Sequence, residues 1–453
     1  MHDPITRLFE DRFGAPPVAI IEIAGDGSSR SYFRLVGADW ETAVGAIGPD
    51  REENRAFLVY SRCFRDAGLP VPEIYGVDEA AGVWLEQDLG DTTLFDALAE
   101  ARERAGGAFP RAVLPAYRRV LETLPLFQVR GGRCVDYSVA YPRSAFDRQS
   151  ILWDLNYFKY HFLKLAKVPF SEARLEDDFG RLAEFLLEAD GRHFMYRDFQ
   201  SRNIMLDDAG APSFIDYQGG RRGALQYDVA SLLYDAKAAL PDDVRDALIE
   251  HYLDALAEHL PVERDSFRRH YKGFVLVRIM QAMGAYGYRG FFERKPRFLQ
   301  SVPYAARNLA GLLGRGLPIR LPELERVFRH IIETWRESDD GGGEAGGLTV
   351  HVGSFSYKRG YPEDLGGHGG GFVFDCRALP NPGRHLEYRE RCGRDEDVVR
   401  FIEDCDEAGG FWRHVVALVD AQVAEYLRRG FTSLTVMFGC TGGQHRSVYM
   451  AER

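Results

Sequence analysis

The sequence predicts an α+β protein of two lobes, the first rich in strands and the second in helices, followed by a separate small α/β domain. Three observations predict it. Strand-like runs crowd the first 88 residues, amphipathic helical periodicity dominates from 89 to 336, and a Gly-rich acidic segment over 337–347 leads into a tail where strands and helices alternate. The organisation expected is a β-rich lobe over 1–88, a helical lobe over 89–336, a flexible linker over 337–347 and an α/β domain over 348–453.

In the first lobe, 18–23, 31–36, 42–47 and 83–87 read as strands, with a small-residue turn over 25–30 between the first two. A helix over 53–67 turns Phe57, Leu58 and Phe64 to one side. Segments 113–126, 175–189, 242–259 and 321–335 carry the helical period of the second lobe. In the tail, 348–352, 371–375 and 434–438 read as strands and 395–404 and 411–428 as helices.

Composition narrows the function. With 45% hydrophobic and 28% charged residues, the chain is globular rather than disordered or fibrous. A net charge of −11 speaks against charge-driven nucleic-acid binding by the whole chain. No apolar run reaches the ~18–20 residues that span a bilayer, so no membrane partner is expected. The start Met1-His2-Asp3-Pro4 lacks the basic and apolar regions of a signal peptide. The cysteines (Cys63, Cys134, Cys376, Cys392, Cys405, Cys440) are scattered without a Cys-x-x-Cys pair. That predicts neither a zinc ribbon nor a disulfide framework, and fits a reducing cytoplasm.

The chemistry concentrates at Arg197-Asp-Phe-Gln-Ser-Arg-Asn-Ile-Met205 and Ser213-Phe-Ile-Asp-Tyr-Gln218. Two short apolar strands flank a turn at 207–210. A carboxylate (Asp198) stands before the first strand, an amide (Asn203) at its start and a second carboxylate (Asp216) after the second. A hairpin brings all three together. Phosphoryl transfer needs such a set: one carboxylate orients the attacking hydroxyl and accepts its proton, while an amide and a carboxylate oxygen hold magnesium against the phosphates.

These residues resemble the catalytic loop and metal-binding Asp of the protein-kinase-like fold, in the variant of the aminoglycoside phosphotransferase and choline-kinase family. Asp26-Gly-Ser-Ser-Arg-Ser-Tyr-Phe-Arg34 and Leu85-Glu-Gln-Asp-Leu-Gly-Asp91 look closest to the amino-sugar kinases that phosphorylate N-acetylmuramate or N-acetylglucosamine at the anomeric hydroxyl. The resemblance covers about 15–336 and implies a bilobal kinase-like fold, ATP and magnesium as cofactors and a small sugar acceptor. It implies Asp198 as base, and Asn203 and Asp216 as magnesium ligands. Gly25, Gly27, Ser28, Ser29 and Arg30 would cover the nucleotide phosphates. The hinge at Glu86 and Asp88 would meet the adenine, and Arg197 and Asp228 would support the catalytic loop. Two departures stand out: Tyr196 replaces the His usual before Arg-Asp, and the third strand has no lysine for the phosphates, a role open to Arg30, Arg34 or Arg55. The polar aromatic stretches 137–147 and 153–160, with Asp154, Asn156 and Tyr157, are candidates for the acceptor or for the core.

In the tail, Gly439-Cys-Thr-Gly-Gly-Gln-His-Arg446 runs from a strand through a Gly-rich turn into a helix, a place for an anion on Cys440, Thr441, Gly442, Gly443, His445 and Arg446. Cys440 and Arg446 have the spacing of cysteine phosphatases, although Gly439 stands where those carry His. A phosphate-binding loop without catalysis and a structural turn are the other readings. Ser354-Phe-Ser-Tyr-Lys358, Phe374-Asp-Cys-Arg-Ala-Leu-Pro-Asn-Pro382 and the Gly-rich turn resemble the C-terminal domain of the RNase adapter RapZ over 348–453. The resemblance implies binding of a phosphorylated amino sugar (glucosamine-6-phosphate) and of small RNA, and a domain continuing past Arg453. The tail is nearly balanced in charge, with 13 Lys and Arg against 15 Asp and Glu, which favours a metabolite over RNA. Two functions follow: a sugar kinase with a ligand-sensing tail, or a catalytically weak kinase-fold adapter whose tail binds RNA or an amino-sugar phosphate.

Overall fold

The computed structural model describes residues 3–23, 30–335, 348–361, 371–429, 431 and 433–453. The turn residues Gly25, Gly27, Ser28 and Ser29 and the segment 337–347 lie outside the described residues. The chain divides into two compact units, one ending at Arg336 and one containing the tail.

The first unit opens with helix α1 (Asp3–Phe13), then strands β1 (Ala19–Ile23), β2 (Ser31–Val36) and β3 (Thr42–Ile47). Helix α2 (Arg51–Asp66) follows, capped by Asp50, whose side chain accepts the Glu52 and Glu53 amides. Strands β4 (Ile74–Asp78) and β5 (Val83–Gln87) complete an antiparallel sheet of order β1-β2-β3-β5-β4. The sheet has two apolar faces. On one, α1 lays Ile5 and Phe9 over Phe33, Leu35, Ala43, Val83 and Leu85. Gly45 permits that approach, since a Cβ there would meet Leu35 at 2.9 Å and Ile5 at 3.2 Å. On the other, Ala46 and Trp84 join the main core with α2.

The helical part comprises α3 (Leu94–Arg104), α4 (Leu114–Pro125), the single turn α5 (Gly132–Cys134), α6 (Arg148–Phe158) and α7 (Glu172–Leu187), then α8 (Gln226–Leu233), α9 (Asp242–Ala257), α10 (Arg264–Gly287), α11 (Val302–Gly314) and α12 (Pro322–Thr334). Between α7 and α8 lie two small hairpins. Strand β6 (His193–Met195) pairs with β9 (Arg221–Gly223), and β7 (Ile204–Leu206) with β8 (Pro212–Phe214), all antiparallel.

Sequence periodicity located α2, α4, α7, α9 and α12 to within a few residues. It missed α1 and β4 and, in the second lobe, α3, α6, α8, α11 and the 24-residue α10. Helix α10 is buried around most of its circumference, from Phe267 to Gly287, so its apolar residues form no one-sided stripe.

One expectation is corrected. Cys63, in the last turns of α2, and Cys134, in α5, form a disulfide across a sequence separation of 71. Packing of α2 against the segment after α4 brings them together, which no spacing rule could reveal. The thiol pattern therefore gives no support to a reducing compartment. The described cysteines of the tail, Cys376, Cys392, Cys405 and Cys440, are free thiols.

The second unit holds a parallel sheet of order β10-β12-β11, from β10 (Thr349–Ser356), β11 (Gly371–Asp375) and β12 (Ser433–Cys440). Helices α13 (Glu396–Glu403), α14 (Asp406–Arg428) and α15 (Arg446–Glu452) surround it. Its core gathers Val398, Ile402, Val415, Leu434, Val436, Phe438 and Met450.

Phe64 is the pivot of the first unit's core. Its ring packs at 5.1 Å from Phe127, 5.2 Å from Phe194 and 5.3 Å from Tyr217, tying α2 to the strand before the catalytic loop and to the segment after Asp216. Phe64→Ala is expected to cost about 3–5 kcal/mol of stability, read as a lower midpoint in urea.

Candidate active site

The hairpins set the site. Met195 ends β6, and the chain turns through Tyr196, Arg197 and Asp198 before β7. Two backbone bonds pin this loop to Asp228 of α8, and a glutamine side chain adds a third bond to the same carboxylate. That carboxylate is wholly buried and accepts the amides of Tyr196 (2.9 Å) and Arg197 (3.0 Å) and Nε2 of Gln128 (3.0 Å). Burial pushes Asp228 up to about 6 although these bonds oppose it. Arg197, held at a positive φ of 81°, extends into a bidentate pair with Asp154 at 2.6 Å to each oxygen and also meets the Tyr227 hydroxyl. Asp154, expected as a sugar contact or a core residue, is thus engaged in bracing the loop. Asn156 bonds back to the Leu152 carbonyl, and Tyr157 packs against His161 and Tyr288. Tyr196 is buried, and its hydroxyl donates to the Ile215 carbonyl at 2.6 Å. It joins the catalytic loop to the residue before Asp216, which is the work this position has to do.

The β7–β8 hairpin closes the triangle. Asn203 Nδ2 donates to Oδ2 of Asp216 (2.9 Å) and to the carbonyl of Asp198 (2.8 Å), while Gln218 Nε2 donates to the other Asp216 oxygen at 2.6 Å. Asp216 sits at φ 68°, a left-handed conformation unusual outside glycine and asparagine and found often at functional sites. Burial, and then the charge of Asp198, raise Asp216 to about 6. The Asp198 carboxylate lies beside Gly219, where an added Cβ would come within 3.3 Å of Oδ2.

A magnesium ion suits this donor set. Two carboxylates raise each other's energy in a half-buried place, and a divalent cation beside Asp216 relieves that repulsion. The Asn203 N–H groups are taken by the Asp198 carbonyl and Asp216, so its oxygen is the atom that would serve a metal. Among the described residues no group of three or more His, Cys, Asp or Glu side chains could hold a metal. Magnesium needs no such cage, because it takes one or two protein ligands together with waters and phosphates.

The two expected hinge residues sit in different places. Glu86 lies inside the ladder, paired with Val44 and Ile74, and its carboxyl accepts Trp84 Nε1 at 2.8 Å. Burial pushes it up to about 7. Asp88, past the ladder, is held by Arg34 through two bonds of 2.7 and 2.9 Å. Arg30 precedes β2, its side chain 1% exposed, at 3.5 Å from Glu53.

In the tail, β12 ends at Cys440 and α15 begins at Arg446, with Gly443 at φ 68° between them. The Gly443 amide points at Cys440 Sγ (3.2 Å), and the Ser447 hydroxyl lies 3.1 Å from it. Burial raises this thiol, but the Ser447 hydroxyl and amide, with the Gln444 and Gly443 amides, outweigh that and hold it below the ordinary thiol range. The nest expected for an anion thus first receives the sulfur of its own cysteine. Thr441, Gly442, Gln444, His445, Arg446 and Arg389 line a pocket of about 210 Å³ beside it. His445 Nε2 meets the Tyr388 carbonyl at 2.8 Å. Arg446 Nη1 donates to the carbonyls of Arg377 and Leu379, while its Nε is buried without a partner among the described residues. Sequence reading missed Arg389, which lies 51 residues before Cys440 and reaches the turn only through the fold.

The brace is testable. Asp228→Ala strands three buried N–H donors at about 1–3 kcal/mol each. The expected result is a lower urea midpoint and a nearly inactive enzyme at temperatures where the variant is still folded.

Comparison with known proteins places both units. Residues 348–453 match the RapZ C-terminal domain, and 19–264 match the phosphotransferase enzyme family. Over 106 residues the chain is 42% identical to a nucleotide-binding protein of Nitrosomonas europaea, covering 23% of this chain and 35% of that one. Over 105 residues it is 41% identical to a nucleotide-binding protein of Fervidobacterium nodosum, covering 23% and 36%. The chain therefore spans about a third of the length of these curated relatives. Among solved structures it is similar to an ethanolamine kinase of Plasmodium vivax (TM-score 0.45, 13% identity, 65% of this chain and 81% of that one). It is also similar to the choline kinase LicA of Streptococcus pneumoniae (TM-score 0.42, 12% identity, 68% and 99%). The chain belongs to the phosphotransferase enzyme family and carries a RapZ C-terminal domain behind its kinase-like unit.

Proposed function

We propose that this chain transfers the γ-phosphoryl group of ATP to a hydroxyl of an amino sugar such as N-acetylmuramate or N-acetylglucosamine, and that its tail binds a phosphorylated ligand. The observation that carries the transfer is the convergence of Asp198, Asn203 and Asp216 on one loop and hairpin. Asp198 orients the acceptor hydroxyl and accepts its proton as the new O–P bond forms and ADP leaves with the old bridging oxygen. Asn203 and Asp216 would hold magnesium, which supplies charge neutralisation at the β- and γ-phosphates. Asp228, Arg197 and Tyr196 act through the loop by holding its backbone in place. The adenine would meet the chain near Asp88, past the end of the β5 ladder.

For the tail, the buried Nε of Arg446, the Arg389 side chain and the pocket of about 210 Å³ support a small anionic ligand. Phosphatase chemistry is not favoured, because Arg446 Nη1 is engaged by two carbonyls instead of facing Cys440.

Two measurements test the kinase reading. The first is ADP release from magnesium–ATP with N-acetylmuramate, N-acetylglucosamine, glucosamine and an aminoglycoside as acceptors. One amino sugar is expected to turn over, and Asp198→Asn to lower kcat by about 10²–10⁴-fold with ATP affinity kept. Folded protein that turns over no acceptor contradicts the reading. The second uses pH at subsaturating magnesium. Asp216 is raised to about 6, so it is ionised above that pH and protonates below it. The rate is expected to hold from pH 8 to 7, to fall as pH drops through 6, and to recover partly on adding magnesium. A profile flat down to pH 5 would remove Asp216 as the metal ligand.

A further inference from the structure

Nucleotide kinases of this fold use a lysine on the third strand, tied to a glutamate on the following helix, to hold the phosphates. Strand β3 here reads Thr-Ala-Val-Gly-Ala-Ile, with no cation. The structure decides among the three arginines open to that role. Arg34 is committed to Asp88, Asp91 and the Gly90 carbonyl. Arg55 is exposed on α2. Arg30 remains, and its surroundings are those of a positioned cation.

Its guanidinium lies 3.5 Å from Glu53 in the first turn of α2, which restores a cation–glutamate pair between the strand layer and that helix. It lies beside a packed pair of rings, with the guanidinium carbon 5.6 Å from the Phe57 centroid and 5.3 Å from that of Trp84, the two centroids being 5.2 Å apart. Cross-strand pairing places Tyr32, Ala46 and Trp84 on one face of the sheet. Ala46 presents only a methyl there, directly between its cross-strand partners Tyr32 and Trp84. The charge of Arg30 also acts on Asp216, where it opposes the effect of burial. One cation thus pairs with the helix glutamate and acts through space on Asp216.

We propose that Arg30 is the phosphate-holding cation of this nucleotide site, paired with Glu53 and seated against the Phe57–Trp84 ring pair, in place of a third-strand lysine. The proposal rests on the phosphotransferase reading and deepens it. A guanidinium supplies several donors in a planar fork and keeps its charge when buried, so it can serve phosphate from the end of a neighbouring strand.

Calorimetry on the full chain with magnesium–ADP and with adenosine tests it. Arg30→Met is expected to weaken ADP about 10- to 100-fold while leaving adenosine within about twofold, because only the phosphates lose a partner. Arg30→Lys should recover most of that loss. Glu53→Gln changes a side chain 27% exposed and so threatens folding little. It should lower kcat and raise the KM for ATP while leaving the KM of the acceptor unchanged. Equal loss of adenosine and ADP in Arg30→Met would reduce Arg30 to a structural role and overturn the proposal. So would ADP affinity that neither Arg30→Met nor Glu53→Gln alters. If Arg30→Met fails to fold, Glu53→Gln decides alone. Wild-type protein that binds neither adenosine nor ADP would instead overturn the phosphotransferase reading, and this assignment with it.

Discussion

A single buried carboxylate holds the catalytic geometry in place. Asp228 receives two consecutive loop amides and a glutamine side chain, and it is wholly removed from solvent. In such a place each missing bond is expensive, because a buried donor or acceptor without a partner bears its full desolvation penalty. The loop therefore has one low-energy position. Arg197, with its positive φ, carries the arrangement outward to Asp154 of α6, and Tyr196 carries it to the residue before Asp216. The reacting groups sit on a frame whose polar bonds are satisfied at depth, and that suits chemistry in which positioning matters more than covalent participation.

Apolar packing connects this frame to the strand-rich part. Phe64 and Tyr60 of α2 meet Phe194, and Phe57 stacks on Tyr217 at 5.2 Å. The same helix presents Glu53 to Arg30 at its first turn. One helix thus carries an apolar face toward Phe194 and Tyr217 beside the small hairpins and a carboxylate toward Arg30. A shift of α2 would be felt at both, since close-packed interiors transmit displacement rather than absorb it.

The tail follows a different economy. Its Gly-rich turn aims amides at the sulfur of Cys440, which hold the thiol below its ordinary range although it is buried. The pocket beside it combines the turn, His445 included, with Asn381, Gly383 and Arg389 from earlier segments, and it is next to the buried Nε of Arg446. A loop that appears self-sufficient in one dimension becomes one wall of a site that several segments build.

The division between sequence and tertiary structure follows the range of the interactions. Within one local segment the sequence by itself determined the strands β2, β3, β5 and β11, the helices with a one-sided apolar stripe, and the Asp198–Asn203–Asp216 set, because alternation, helical period and hairpin turns are short-range properties. It also carried the absence of a lysine from β3. Only the tertiary structure decided that Asp154 braces Arg197 across 43 residues, that Cys63 meets Cys134 across 71, that α10 is a helix buried nearly all round, and that Arg30 rather than Arg34 faces Glu53. Each of these depends on which surfaces the core brings together, and a linear pattern holds no record of that contact.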